Sequence, residues 1–161
     1  MYGTSVGALN SVGYGYQGIE KTEELWRGIK SRSDILSFNW TSLLLLSKGL
    51  YSTSPLRKKL VSIIKGAPQC NITVCKVSLI TGDVVYNRHT ESDFIDSVEA
   101  SATIPGIMSP INNEWVDGGV REQTPLKRAI LDGADKIIAI LCNPIDHNPD
   151  IGKVGNWVQN A

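Results

Sequence analysis

The chain has no excess of charge of either sign: sixteen Lys and Arg residues balance sixteen Asp and Glu residues over 161 positions. No polybasic block stands at either end, so a nucleic-acid partner is not expected, and any contact with lipid has to be apolar. Long apolar runs are missing too. The longest, Leu43 to Leu46, falls far short of the roughly 20 residues that cross a bilayer. The opening MYGTS has neither the charged nor the apolar region of a secretory signal, and both absences point to an intracellular protein. Histidine is scarce, with His89 and His147 far apart, and Cys70, Cys75 and Cys142 fit neither CxxC nor zinc-ribbon spacing. No metal or cofactor is therefore expected, and the thiols read as reduced packing groups.

What is present begins at the third residue. In Gly3-Thr4-Ser5-Val6-Gly7, small residues two before and two after a serine let the backbone turn sharply from strand into helix and lift the hydroxyl clear. The segment reads as a nucleophile elbow, and the Val6 N–H, next after the serine, can donate to an oxyanion. A serine hydroxyl needs a base. Among the acids, Asp117 ends an apolar strand in EWVDGG, where Gly118 and Gly119 allow positive φ and a close approach of other backbone. Asp-Gly is also an ordinary turn dipeptide. The GYGYQG stretch (13–18) spells a dinucleotide-loop pattern but lacks the strand in front that such a loop requires.

The remaining pattern alternates helix and strand. Val6 to about Asn10 reads as a helix packed close to a sheet, loosened by Gly13, Gly15 and Gly18. Lys21–Lys30 is an amphipathic surface helix with Leu25, Trp26 and Ile29 on one face. FNWTSLLLLSKGLY (38–51) reads as a short buried helix, with an apolar flap as the competing reading. Ser54-Pro55 starts a helix carrying Leu56, Leu60, Ile63 and Ile64, which Gly66 ends. Residues 72–80 and VVYNR, on either side of Thr81-Gly82-Asp83, read as a β-hairpin or two adjacent strands, and a helix runs from Asp93 to the break at Ile104-Pro105-Gly106. Its run Ala100-Ser101-Ala102 permits close packing. Thr124-Pro125 caps a helix that reaches Leu131, and KIIAILCNP (136–144) reads as a buried strand of parallel-sheet type. Such alternation indicates an α/β fold with a mixed or parallel sheet.

Three stretches together resemble the patatin-like phospholipases: GTSVGALN (3–10), ASATIPGIMSPI (100–111) and WVDGGVREQTPLKRAILDGADKIIAI (115–140). They stand in the family's order, and the likeness spans residues 3 to about 142. The resemblance implies a three-layer α/β/α sandwich with a mainly parallel central sheet, residues 1–161 being a single, partial domain that lacks the first strand and helix. It implies a Ser5–Asp117 dyad, with Gly3, Gly7, Gly118 and Gly119 shaping the two turns and Val6 supplying an oxyanion donor. The activity implied is cleavage of fatty-acyl esters of glycerophospholipids or related lipids through an acyl-enzyme. The partners are the lipid substrate and, peripherally, a membrane. The family's further oxyanion donors lie in a glycine-rich loop upstream of the serine, where this sequence has no residues, so truncation before the elbow is expected.

Two other readings stand beside it. An inactive fragment would bind lipid or another chain through an exposed sheet edge. A triad would add His147, in the order Ser, Asp, His of α/β-hydrolases. Lesser expectations place Arg121, Lys127 and Arg128 near a headgroup, Trp40, Met108 and Ile111 along an acyl pocket, and Thr4 and Asn10 as props of the elbow; His89 reads as a surface residue.

Overall fold

The computed structural model describes residues 1–39 and 49–142. The chain divides into two compact units, Met1–Pro125 and the part that starts at Leu126. The first unit contains a four-stranded sheet built from β1 (Tyr2–Gly3), β4 (Thr73–Ser78), β5 (Val84–Arg88) and β6 (Trp115–Asp117), and a separate ribbon of β2 (Ser37–Phe38) and β3 (Tyr51–Ser52). Among the described residues four helices accompany them: α1 (Val6–Gln17), α2 (Ile19–Gly28), α3 (Ser54–Ile63) and α4 (Phe94–Ser101). The fold is α/β, as the alternating pattern indicates.

The sheet is mixed rather than mainly parallel among the described residues. Only β1 runs parallel to β4, whereas β5 and β6 both pair with it antiparallel. The reason is connection length. The short Thr81-Gly82-Asp83 turn can only return the chain antiparallel, while the parallel pair Gly3–Val74 is separated by a long crossover. Every residue of β4 is buried, including the polar Thr73, Lys76 and Ser78. Lys76 tolerates this because its ammonium donates to Asp93 Oδ2 and Ser97 Oγ, each at 2.9 Å, and lies 4.4 Å from the centre of the Trp115 ring. The pairing pins α4 to β4.

A hydrophobic core forms where α1, α3, α4 and β4 meet, with Ala8, Val12, Leu56, Leu60, Ile63, Ile72, Val74, Phe94 and Val98 buried. Burial of each larger aliphatic chain contributes about 1.5–3 kcal/mol. A polar tie joins α3 to α4 beside it. Buried Glu99 accepts from Thr53 Oγ1 and Arg57 Nη1, both at 2.6 Å, and Arg57 also pairs with Asp96 at 2.7 Å. These two carboxylates raise the pKa of the Arg57 guanidinium further.

The helix after the elbow is longer than its sequence suggests. It continues through Gly13 and Gly15 to Gln17, because those glycines serve contacts rather than a break. A Cβ on Gly13 would stand 2.7 Å from the Thr22 methyl, and one on Gly15 would stand 2.5 Å from Ile72 Cδ1. The expected Lys21–Lys30 helix is displaced to Ile19–Gly28, with Leu25 packed against the core. The apolar run 43–46 lies outside the described residues; its flanks pair as β2 and β3, Ser37 with Ser52 and Phe38 with Tyr51.

In the second unit α5 (Leu126–Leu131) forms where Thr124-Pro125 signals it, and Gly133 follows at φ 86°. The buried strand expected over 136–144 is not formed in its described part. Residues 137–141 carry no regular structure, and Ile138 and Ile140 are 83% and 91% exposed. A strand of this composition is stable when neighbours pair its edges and cover its faces, and no strand pairs with it among the described residues.

Candidate active site

The register of β4 brings Ser5 and Asp117 together. β5 lies along one edge of β4 from Thr73 to Val77, so β1 and β6 must share the other edge. On that edge Gly3 pairs with Val74 and Asp117 pairs with Lys76. β1 runs with β4 and β6 against it, so both strands end facing the same residue, Cys75. The chain leaves β1 into Thr4-Ser5 and leaves β6 into Gly118-Gly119. Two turns 112 positions apart in sequence (Ser5 to Asp117) therefore emerge at one point of the sheet.

The first turn is strained. Ser5 is the N-cap of α1 at φ 57°, ψ −128°, a region that non-glycine residues occupy at a cost of about 1–3 kcal/mol. The conformation is held from several sides. Gly7 N–H donates to Thr4 O at 2.8 Å, Ala8 N–H to Ser5 O at 2.9 Å, and Ser5 N–H to Ser101 Oγ at 3.0 Å. The two flanking glycines differ. A Cβ on Gly3 would fall 2.4 Å from the Gly7 carbonyl oxygen, whereas one on Gly7 would meet nothing within 4 Å. Only Gly3 is needed for the close passage of strand and helix.

The second turn is not strained. Asp117 has φ −51°, ψ 126°, and neither Gly118 nor Gly119 takes a positive φ, contrary to the expectation from sequence. Close approach is what Gly118 provides: a Cβ there would lie 2.5 Å from the Cys75 carbonyl oxygen and 2.6 Å from its sulfur. Asp117 donates its N–H to the Thr103 carbonyl at 2.8 Å, and its Oδ1 accepts from Gly119 N–H at 2.7 Å. The carboxylate is buried, and burial raises its pKa; the Ser5 hydroxyl and the hydrogen bond from the Gly119 amide oppose the rise without cancelling it.

Cys75 sits beneath both turns. Burial, with the charges of Glu122 and then Asp117, pushes its thiol up to about 12, against a smaller opposing pull from Thr4. It is a neutral packing group at ordinary pH. Thr4 Oγ1 is buried beside it and makes no hydrogen bond of ordinary geometry among the described residues, so it does not prop the elbow as expected. Asn10 does not either: its Oδ1 accepts from Trp26 Nε1 at 2.7 Å and ties α1 to α2.

The other expected residues scatter. His89 is half-buried and its Nδ1 accepts from Ile72 N–H at 3.2 Å, a structural bond at the end of β5. His147 and Trp40 lie outside the described residues. Arg128 pairs with Asp132 one helical turn on, at 2.7 Å. Met108 and Ile111 are half-buried, Met108 bridging to Tyr51 and Ile111 to Trp115. No group of three His, Cys, Asp or Glu side chains is placed to hold a metal among the described residues. Sequence reasoning missed Ser101 and Thr103 as partners of the two turns; the small-residue run at 100–102 signalled close packing but not what would be packed.

No curated protein matches the chain. The family model for patatin-like phospholipases matches residues 1–130, a span that holds both turns and the whole sheet, and the chain belongs to that family.

Proposed function

We propose that the chain is a lipid acyl hydrolase in which Ser5 is the nucleophile and Asp117 its base. Membership of the patatin-like phospholipase family supports lipid hydrolysis at the level of the family. The observation that carries the finer reading is geometric: the register of β4 brings the strained Ser5 elbow and the buried Asp117 carboxylate, raised in pKa by burial, to one point of the sheet. A carboxylate with a raised pKa is a stronger base than one in water. Asp117 takes the hydroxyl proton as Ser5 Oγ bonds to the ester carbonyl carbon, and that proton then goes to the departing alcohol oxygen. Water repeats the sequence in reverse: Asp117 accepts its proton, its oxygen attacks the acyl-enzyme, and Ser5 Oγ is reprotonated as the fatty acid leaves.

The Val6 N–H donates to no acceptor among the described residues and serves as one donor to the oxyanion; each such donor is commonly worth about a hundredfold or more in rate. The substrate is a glycerophospholipid or related acyl ester, met at a membrane surface through apolar contact. We read the four-stranded sheet as the middle layer of the α/β/α sandwich that family membership implies.

Intact mass after exposure to a fluorophosphonate tests the dyad. One adduct is expected per chain, none on Ser5→Ala, and a rate at least about a thousandfold lower on Asp117→Asn. Fatty acid released from phosphatidylcholine vesicles should follow the same order. Vesicle binding that survives Ser5→Ala, with no fatty acid released by either protein, would identify a binding module instead.

A further inference from the structure

The end of α4 touches both halves of the site. Ser101, its last residue, is fully buried, and its Oγ accepts the Ser5 amide at 3.0 Å. Two residues on, the Thr103 carbonyl accepts the Asp117 amide at 2.8 Å. One tripeptide thus grips the backbone under each of the two side chains. The Ser5 amide needs such a partner, because an N-cap N–H has no acceptor inside its own helix.

The grip is itself fixed. Thr103 Oγ1 donates to the Glu99 carbonyl at 2.8 Å, the Glu99 carboxylate is held by Thr53 and Arg57, and Ser97 is held by Lys76. The end of α4 therefore cannot shift without breaking bonds to α3 and β4. Two anchor points that belong to one rigid piece keep a fixed separation, which a side-chain contact alone would not guarantee.

We propose that Ser101 is a positioning residue for acyl transfer, holding the Ser5 backbone at the separation from Asp117 at which the hydroxyl proton can pass. The inference rests on the reading of Ser5 as nucleophile. It also has a corollary for the oxyanion: the Ser5 N–H is already engaged, so the elbow contributes the Val6 N–H alone.

Kinetics of fluorophosphonate labelling of the full chain test this. The maximal labelling rate of Ser101→Ala should fall about ten- to hundredfold, the penalty for displacing a reacting group by around an ångström, with the concentration dependence unchanged. Ser101→Cys, which keeps a weak sulfur acceptor, should fall between. Val98→Ala, a core truncation on the same helix, should lose stability yet label at the wild-type rate. Equal labelling by Ser101→Ala and Val98→Ala at equal folded fraction overturns the proposal and leaves Ser5 as nucleophile. Should Ser101→Ala fail to fold, Ser101→Cys carries the same comparison. A wild-type chain that takes no label overturns the nucleophile and the positioning role together.

Discussion

The two turns that meet over Cys75 store free energy in different forms. At the elbow the cost is conformational: Ser5 holds a positive φ that a serine rarely adopts, while its side chain remains partly accessible. At the second turn the backbone is relaxed and the cost is electrostatic, a carboxylate kept away from water. Sequence makes them look alike, since each is a polar residue followed or flanked by glycines. The glycines, however, do different work. Gly3 and Gly118 are spaces through which backbone passes, and Gly7 and Gly119 have no such neighbour closer than 3.0 Å. A site of this kind is held by the sheet register beneath it, not by symmetry between its turns.

The largest effect should come from filling those spaces. Gly3→Ala and Gly118→Ala each bring a Cβ to about the same impossible distance from a carbonyl oxygen, 2.4 and 2.5 Å. Overpacking of this sort commonly costs about 1–3 kcal/mol, and more where only backbone can yield. Urea unfolding should show both losses. Gly7→Ala is the control: with open space around its Cβ and a better helix former in place, it should be neutral or stabilising by up to about 1 kcal/mol. Equal losses at Gly3 and Gly7 would refute the distinction between them.

Ser5→Gly should sharpen the contrast further. Glycine adopts φ near 57° without a Cβ penalty, so the folded state is relieved, while the unfolded chain gains entropy that offsets part of the gain. A net rise of about 1 kcal/mol is expected. Ser5→Ala keeps the Cβ and should gain nothing. Both lose labelling, so only the stability difference between them reports the strain.

How much of this could be read beforehand depended on range. The elbow, the Ser54-Pro55 helix start and the Thr81-Gly82-Asp83 turn are local patterns, with cause and effect a few residues apart. The α/β class followed from their alternation, and three ordered motifs sufficed for the family. The misread points have distant causes. Gly13 and Gly15 looked like breaks because the groups that need them absent of side chain are Thr22 and Ile72. Ser101 gave no sign of its partner because Ser5 lies 96 positions earlier. The run 136–141 has the composition of a buried strand, but composition does not supply the neighbour that would pair with it. Antiparallel pairing of β6 depended on register across β4, which no local pattern encodes.

Asp117→Asn tests the electrostatic half, and its sign is opposite to that usual for a buried polar group. The Asn carbonyl oxygen can still accept from the Gly119 amide, so the turn is kept, and what disappears is the buried charge. Because the folded pKa of Asp117 is raised, the folded state holds its proton at pH values where the unfolded chain has released it. Folding stability from this group is therefore present in full below the ordinary aspartate range and is lost as pH rises through the elevated folded value. The variant has no such loss. Its stability relative to wild type should increase from acid toward neutral pH and then level off above the folded pKa of Asp117, with no growth beyond it. Thermal melts of the two proteins across that range read the difference directly. The labelling rate of the wild type should climb over the same window as Asp117 becomes the base. A melting difference that rises without a matching rise in labelling would separate the buried charge from the chemistry and assign the proton to another group.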